Sequence, residues 1–235
     1  MSSETPNVDF LVLGSGIAGL SFALQAASHG RVAVLCKGDA ELTNTSWAQG
    51  GIAAVWSPDD SLDAHVEDTL AAGADFADRE VVSDILADGR AAVEQLISWG
   101  IRFDRGEASA TDFDLTMEGG HSARRILHSG DITGAEIQRG LLAAVQDHPR
   151  VELFEGHVAI DLITERKVRR HQAKKRLGLV GGALDQRYGP GGPEGWMPGQ
   201  RDRCLGAYVL EEATGRVHVF RARSTVLATR SLPHQ

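Results

Sequence analysis

The sequence predicts an α/β fold in which a parallel sheet carries a small antiparallel β-meander. Three observations predict it. A strand–turn–helix–strand unit opens the chain between Val8 and Leu35, close to the size of a βαβ crossover. Its turn reads Gly14-Ser15-Gly16-Ile17-Ala18-Gly19. Short apolar or alternating runs stand late in the chain, at Leu205 to Leu210, Val217 to Ala222 and Ser224 to Ala228, with Thr214-Gly215 as a hairpin turn.

Taken in order, Val8-Asp9-Phe10-Leu11-Val12-Leu13 is an apolar run that stops at glycine, as a buried parallel strand does. A helix follows from Ile17 to Ser28 and ends near Gly30. Arg31 to Leu35 reads as a second buried strand. The spacing of Leu62, Val66 and Leu70 predicts a helix over Ser61 to Ala72. Val82, Ile85, Leu86, Val93, Leu96 and Ile97 form one side of a longer helical region from Asp78 to Trp99, weakened in its middle by Gly89. Thr133-Gly134-Ala135-Glu136 has capping-box spacing, and Ile137, Leu141, Leu142 and Val145 supply the helix face behind it. Val151 to Phe154 and Val158 to Ile163 are further strands. No internal repeat is visible.

Composition bounds the rest. A chain of 235 residues suits one large α/β domain. The net charge of −8 gives no bulk attraction to nucleic acid or anionic membranes. Cys36 and Cys204 form no CxxC pair, so neither a disulfide framework nor a metal site is expected. Met1 to Asn7 is polar and lacks a signal peptide's basic and apolar regions. No apolar run approaches the ~20 residues that span a bilayer. The expected location is cytoplasmic, with no membrane partner. Residues 166–203 stand apart: a basic run from Arg166 to Arg176 leads into Gly189-Pro190-Gly191-Gly192-Pro193. No aromatic side chains interleave the basic run to stack bases, so a solvated insertion loop is expected, with no nucleic-acid partner.

The glycine-rich turn carries chemistry because a buried strand precedes it and a helix follows. Gly14 permits the tight turn. Gly16 has no side chain to block a pyrophosphate from the helix N-terminus, where free amides and the helix dipole favour negative charge. Gly19 lets the helix pack closely on the strand. The unit is therefore read as a Rossmann-like FAD/NAD(P)-binding domain. Many such domains end the second strand on an acidic ribose-binding residue. Cys36-Lys37 stands there instead, which argues against an ordinary NAD dehydrogenase and leaves the ribose contact open.

The next segments are more specific. Asn44-Thr45-Ser46-Trp47-Ala48-Gln49-Gly50-Gly51-Ile52-Ala53 resembles the flavin-contacting loop of the succinate dehydrogenase, fumarate reductase and aspartate oxidase superfamily. His65-Val66-Glu67-Asp68-Thr69 with Gly73 resembles a second block of it. Glu118-Gly119-Gly120-His121-Ser122-Ala123-Arg124-Arg125-Ile126-Leu127-His128, with Asp131-Ile132-Thr133-Gly134, resembles a third. The resemblance runs from about Val8 to Thr229, interrupted by 166–203, and is strongest to the aspartate oxidase family. Succinate dehydrogenases carry a histidine that bonds covalently to FAD; Asn44 matches that position, so non-covalent FAD is implied.

Matched by position, the resemblance implies that Ser15, Gly16, Ile17 and Ala18 hold the pyrophosphate. It implies that Lys37 lies on the adenosine side, Asn44 to Gly51 line the flavin, and Val158 and Ala159 touch the adenine end through their backbone. Glu118 matches a carboxylate that orients the substrate amine. A carboxylate suits that task, since an ammonium rewards opposed charge with acceptors. Arg124 and Arg125 are either site residues or members of structural ion pairs. Trp47 is expected to pack near the flavin.

The implied reaction is oxidation of L-aspartate to iminoaspartate for NAD biosynthesis. Oxygen or fumarate is the implied electron acceptor, and quinolinate synthase the implied downstream partner. A fumarate reductase or succinate dehydrogenase-like flavoprotein is the alternative enzyme, and a non-catalytic FAD-binding fragment the alternative of another class. Thr225-Val226-Leu227-Ala228-Thr229 resembles a strand that leads into a glycine pair beside FAD, but Arg230-Ser231-Leu232-Pro233-His234-Gln235 follows. The chain is therefore expected to be the N-terminal part of an FAD-binding domain, lacking the capping and helical domains, the proton-transferring arginine and activity on its own.

Overall fold

The computed structural model describes residues 7–74, 76–106, 113–176 and 201–229. In chain order the elements begin with β1 (Asn7–Leu13), α1 (Ile17–Ala26), β2 (Val32–Leu35), a 3₁₀ turn (Thr45–Trp47) and β3 (Ile52–Ala53). Next come α2 (Leu62–Ala72), α3 (Arg79–Ala87), α4 (Gly89–Ser98), β4 (Leu115–Thr116), β5 (Ile126–Leu127) and α5 (Thr133–Gln146). The chain continues through β6 (Val151–Phe154), β7 (His157–Thr164), α6 (Glu165–Arg176), β8 (Cys204–Glu211) and β9 (Arg216–Leu227). Among the described residues these form two units: one comprises 7–14, 22–39, 150–176 and 201–229, the other 15–21, 40–74, 76–106 and 113–149.

The first unit is a six-stranded sheet in the order β6-β2-β1-β9-β8-β7. The four strands β6, β2, β1 and β9 run parallel, and β9, β8 and β7 form the antiparallel meander. Strand β2 is buried along its whole length, as a central parallel strand with both faces covered must be. Val8, Leu11, Leu13, Ala33, Leu35, Ala207, Val209, Phe220 and Ala222 make one core cluster. Phe154 meets Phe220 edge-on at 5.0 Å between ring centroids, the edge-to-face geometry that aromatic quadrupoles favour.

The predicted α/β class stands, but four local readings change. Val217 to Ala222 and Ser224 to Ala228 are one strand, β9. Arg223 interrupts the apolar pattern without breaking the strand because its side chain is 79% exposed and meets Asp9 at 3.4 Å. The strand changes partner instead: residues 216–221 pair with β8 and 221–227 with β1. The Asp78–Trp99 region is two helices, and Asp88 ends α3 and precedes α4. Glycine at 89 makes that junction cheap to break, and Ile85 faces outward at 66% exposure.

The capping box at Thr133–Glu136 does not form. Thr133 lies inside α5 and its Oγ1 accepts from the Ser129 amide at 3.1 Å. Glu136 accepts from the Arg102 amide at 2.9 Å and pairs with Arg139. Both side chains are committed elsewhere, while the predicted face of Ile137, Leu141, Leu142 and Val145 is buried.

The stretch from 166 was read as a loop, yet its start is α6. The segment Glu165–Arg176 contains no glycine or proline and consists mainly of good helix formers. Asp202 accepts from the Arg166 amide at 3.0 Å and Thr164 Oγ1 from the Lys167 amide at 3.3 Å, satisfying donors of the first turn. The rest of that expected insertion, 177–200, lies outside the described residues, as does the Arg230–Gln235 departure. Among the described residues no helix is long and apolar enough to cross a membrane.

The second unit holds helices α2 to α5 and a small antiparallel sheet, β3-β5-β4, that no sequence feature announced. Ile52 and Leu115 flank Leu127, and Ala53 and Thr116 flank Ile126. The Ala54 amide extends this ladder to the Arg125 carbonyl at 3.0 Å.

Candidate functional site

In the first unit the carboxyl ends of the parallel strands form a rim, the place where open α/β sheets bind ligands. The Ala228 amide donates to the Leu13 carbonyl, the Gly14 amide to Leu35, the Cys36 amide to Phe154 and the His157 amide to Cys36, each at 2.9 Å. This chain of bonds sets Gly14, Lys37 and the Val158–Ala159 segment along one edge. Lys37 is exposed and Val158 and Ala159 are half-buried. Gly14 has φ +117°, a conformation that L side chains rarely adopt. A Cβ there would also overlap the Ala228 carbonyl. The fold itself demands this glycine.

Gly16 differs. It belongs to the second unit, where a Cβ would meet only Thr45 Oγ1, at an ordinary 3.4 Å. Among the described residues nothing else lies within 4 Å of a Cβ at 16. The open space lies at the N-terminus of α1, whose first turn carries no acidic residue. Amides there lack helical partners and a phosphate can satisfy them. Ser15 and Gly19 are buried, while Ala18 is exposed. Ile17, expected among the pyrophosphate ligands, donates its amide to Thr45 Oγ1 at 3.0 Å. Thr45 thus ties the glycine turn to the loop beginning at Asn44.

That loop is held from below. Thr43 and Ser46 exchange bonds: the Thr43 amide donates to Ser46 Oγ at 3.0 Å and Ser46 Oγ to the Thr43 carbonyl at 2.7 Å. The Gly134 amide donates to the Ala48 carbonyl at 3.0 Å. Asn44, Ala48, Gln49, Gly50 and Gly51 are exposed, and Trp47 is 70% exposed rather than packed into protein. Ser46 and Trp47 line a cavity of about 450 Å³ with Leu42, Ile132, Arg139 and Leu142.

Gln138 organises these segments and was missed in the sequence. Buried on α5, it donates from Nε2 to the Ser15 carbonyl at 2.8 Å and the Ala40 carbonyl at 2.7 Å. Its Oε1 accepts from Thr43 Oγ1 at 3.1 Å. A signal existed: Gln138 lies four and seven residues before Leu142 and Val145, so it falls within the buried stripe. A glutamine there must find partners.

Glu118 is exposed, two residues beyond β4. Gly51 precedes β3, at the Leu127 end of the small sheet, whereas Glu118 leaves at the Ile126 end. The sheet therefore separates these two candidates along its strands. Behind Glu118 lies a buried ion cluster. Arg125 is fully buried; its Nε and Nη2 grip Asp60 at 2.8 and 2.7 Å, and its Nη1 reaches Asp68 at 2.6 Å. Of the two roles open to the arginines, Arg125 takes the structural one. The Ser122 amide and hydroxyl, with Arg125, bring the Asp68 carboxyl from 3.8 to about 2. Burial works against ionisation of Asp60, but the Arg125 and Ser61 hydrogen bonds outweigh it and lower its pKa.

His65 is buried beside this cluster, its ring 5.6 Å from that of His121, and its Nδ1 has no hydrogen-bond partner among the described residues. Burial, then Arg125 and His121, lower its pKa below 6.5, against the pull of Asp60 and Asp68. Below pH 6.5 the unfolded chain then binds more protons than the folded one, so acidification favours unfolding. We expect stability to fall between pH 7 and pH 5, and to fall less in His65→Gln. Urea midpoints measured across that range check it.

Within the second unit the geometry gives an open start to α1 and a loop tied to it through Thr45 and to α5 through Gly134. L-aspartate oxidase of Pseudomonas aeruginosa is 43% identical over 226 residues, covering 94% of this chain and 37% of that protein. L-aspartate oxidase of Yersinia pestis is 41% identical over 97% of this chain and 38% of its own length. The chain thus spans little more than a third of these curated relatives. Its fold is similar to that of E. coli quinol fumarate reductase, with a TM-score of 0.75 at 22% identity, over 96% of this chain and 33% of that one. With residues 9–235 matching its description from the first strand onward, the chain belongs to the FAD binding domain family.

Proposed function

We propose that this chain is the nucleotide-binding part of a flavoprotein that oxidises L-aspartate to iminoaspartate. The observation that carries the FAD site is Gly16, where a Cβ would meet only Thr45 Oγ1 among the described residues and whose missing side chain leaves the start of α1 open. Similarity to L-aspartate oxidases over most of the chain supports the substrate. FAD, when bound, supplies the hydride acceptor.

The chain's own residues bind and orient. Amides around Ser15, Gly16, Ile17 and Ala18 hold the pyrophosphate, with Gly14 and Gly19 shaping the turn and Thr45 steadying it. Lys37, Val158 and Ala159 serve the adenosine end. Asn44, Thr45, Ser46, Trp47, Ala48, Gln49, Gly50 and Gly51 line the flavin. Asn44 offers no imidazole for a covalent link, so FAD is held non-covalently. Glu118 orients the substrate ammonium. The step belongs to cytoplasmic NAD biosynthesis, with oxygen or fumarate as acceptor and quinolinate synthase as consumer of the product.

The test is anaerobic mixing of the natural, flavin-loaded protein that contains this chain with L-aspartate or succinate. Bleaching of the flavin band near 450 nm (roughly the oxidised-flavin maximum) by aspartate and not by succinate is expected. Bleaching by succinate alone would favour the fumarate reductase-like reading. Bleaching by neither would favour a non-catalytic FAD-binding fragment.

A further inference from the structure

Glu118 stands at the start of a turn closed by the His121 amide donating to the Glu118 carbonyl at 3.2 Å. Gly119 and Gly120 lie between, and Gly120 has φ +85°. Two glycines give such a turn little stiffness of its own. Strand β4 holds it on one side, ending two residues before Glu118; on the other side its geometry depends on what holds the residues that follow.

Asp68 holds them. Its Oδ2 accepts from both the Ser122 amide and the Ser122 hydroxyl, each at 2.8 Å. The same oxygen takes Arg125 Nη1 at 2.6 Å, and Asp60 fixes the rest of that guanidinium. Arg125 Nη1 also lies 3.3 Å from His121 Nδ1. A guanidinium can only donate, so in this contact His121 Nδ1 is the acceptor. The carboxylate and the guanidinium thus grip two consecutive residues, His121 and Ser122, just past the glycines. The Asp68 carboxylate joins the buried guanidinium to both donors of an exposed serine.

We propose that Asp68, acting through Ser122 and with Arg125 behind it, is the positioning residue for Glu118. Asp68 does not touch the substrate. It determines where the Glu118 carboxylate stands, and hence how well the site recognises an ammonium group. The inference rests on the role proposed for Glu118.

The experiment uses the natural flavin-loaded protein and compares L-aspartate with succinate, the same dicarboxylate without its amine. Asp68→Asn is expected to raise KM for aspartate about tenfold, the scale of a lost hydrogen bond to a charged group. The inhibition constant of succinate and the FAD content stay unchanged. Glu118→Gln shows the same discrimination, and adding Asp68→Asn to it changes nothing further, as expected of residues acting in series. Ser122→Ala leaves the Arg125 ion pairs intact and moves KM in the same direction by about threefold, so the test survives if Asp68→Asn does not fold. Discrimination by Glu118→Gln alone, with Asp68→Asn or Ser122→Ala treating both ligands alike, overturns the positioning role. A Glu118→Gln protein that itself treats the ligands alike removes the role of Glu118, and this inference with it.

Discussion

Arg125→Met is expected to destabilise the unit that contains it by about 3–5 kcal/mol, the usual cost of removing one partner from a buried ion pair. The side chain is fully buried and answers two carboxylates. Methionine fills much of the volume but leaves Asp60 facing low-dielectric surroundings without its counter-charge. The surface pair Arg79–Glu67 gives the contrast. Its atoms lie 2.8 Å apart, nearly as close, but both side chains are about 60% exposed. Water and salt screen that pair, and Arg79→Ala is expected to cost below about 1 kcal/mol. Urea unfolding of both variants measures the difference, and equal losses would mean that burial does not govern these pairs.

Gly16→Ala is expected to fold normally and lose about a hundredfold in FAD affinity. A Cβ at 16 has room in the protein, with Thr45 Oγ1 at 3.4 Å. The methyl would instead occupy space needed by the pyrophosphate. Two amide–phosphate bonds weakened by about 1.5 kcal/mol each amount to about that loss. Gly14→Ala fails for a different reason. Its φ of +117° and the overlapping Ala228 carbonyl strain the folded chain whether or not a ligand is present. Unfolding curves with and without FAD separate the two: Gly16→Ala matches the parent without FAD and gains less from it, whereas Gly14→Ala is weaker in both.

These contrasts show where sequence sufficed. The glycine turn was legible because backbone approach dictates residue type locally: strand, glycines and helix occupy consecutive positions. Strands β1 and β2 were legible because they are largely buried and leave apolar runs, and the meander strands because their exposure alternates. Asp60, Asp68 and Gln138 were not, because their partners, Arg125 and Ser15, are far away in sequence and no periodicity links them. Their charge or polarity looked like surface until the fold brought the partners in. The basic start of 166–203 misled for the opposite reason: charge was given more weight than the helix propensity of Glu165–Arg176. Arg223 likewise looked like a break in β9, although an alternating strand simply turns such a side chain outward.

The central claim is that the Gly14–Gly19 turn and the Asn44–Gly51 loop hold FAD without a covalent bond. Its most direct test is titration of the folded chain with FAD, followed by acid precipitation. Saturation at one FAD per chain, with all the flavin released into the acid supernatant, is the predicted result. A folded chain that shows no saturable binding, or flavin that stays with the precipitated protein, would contradict it.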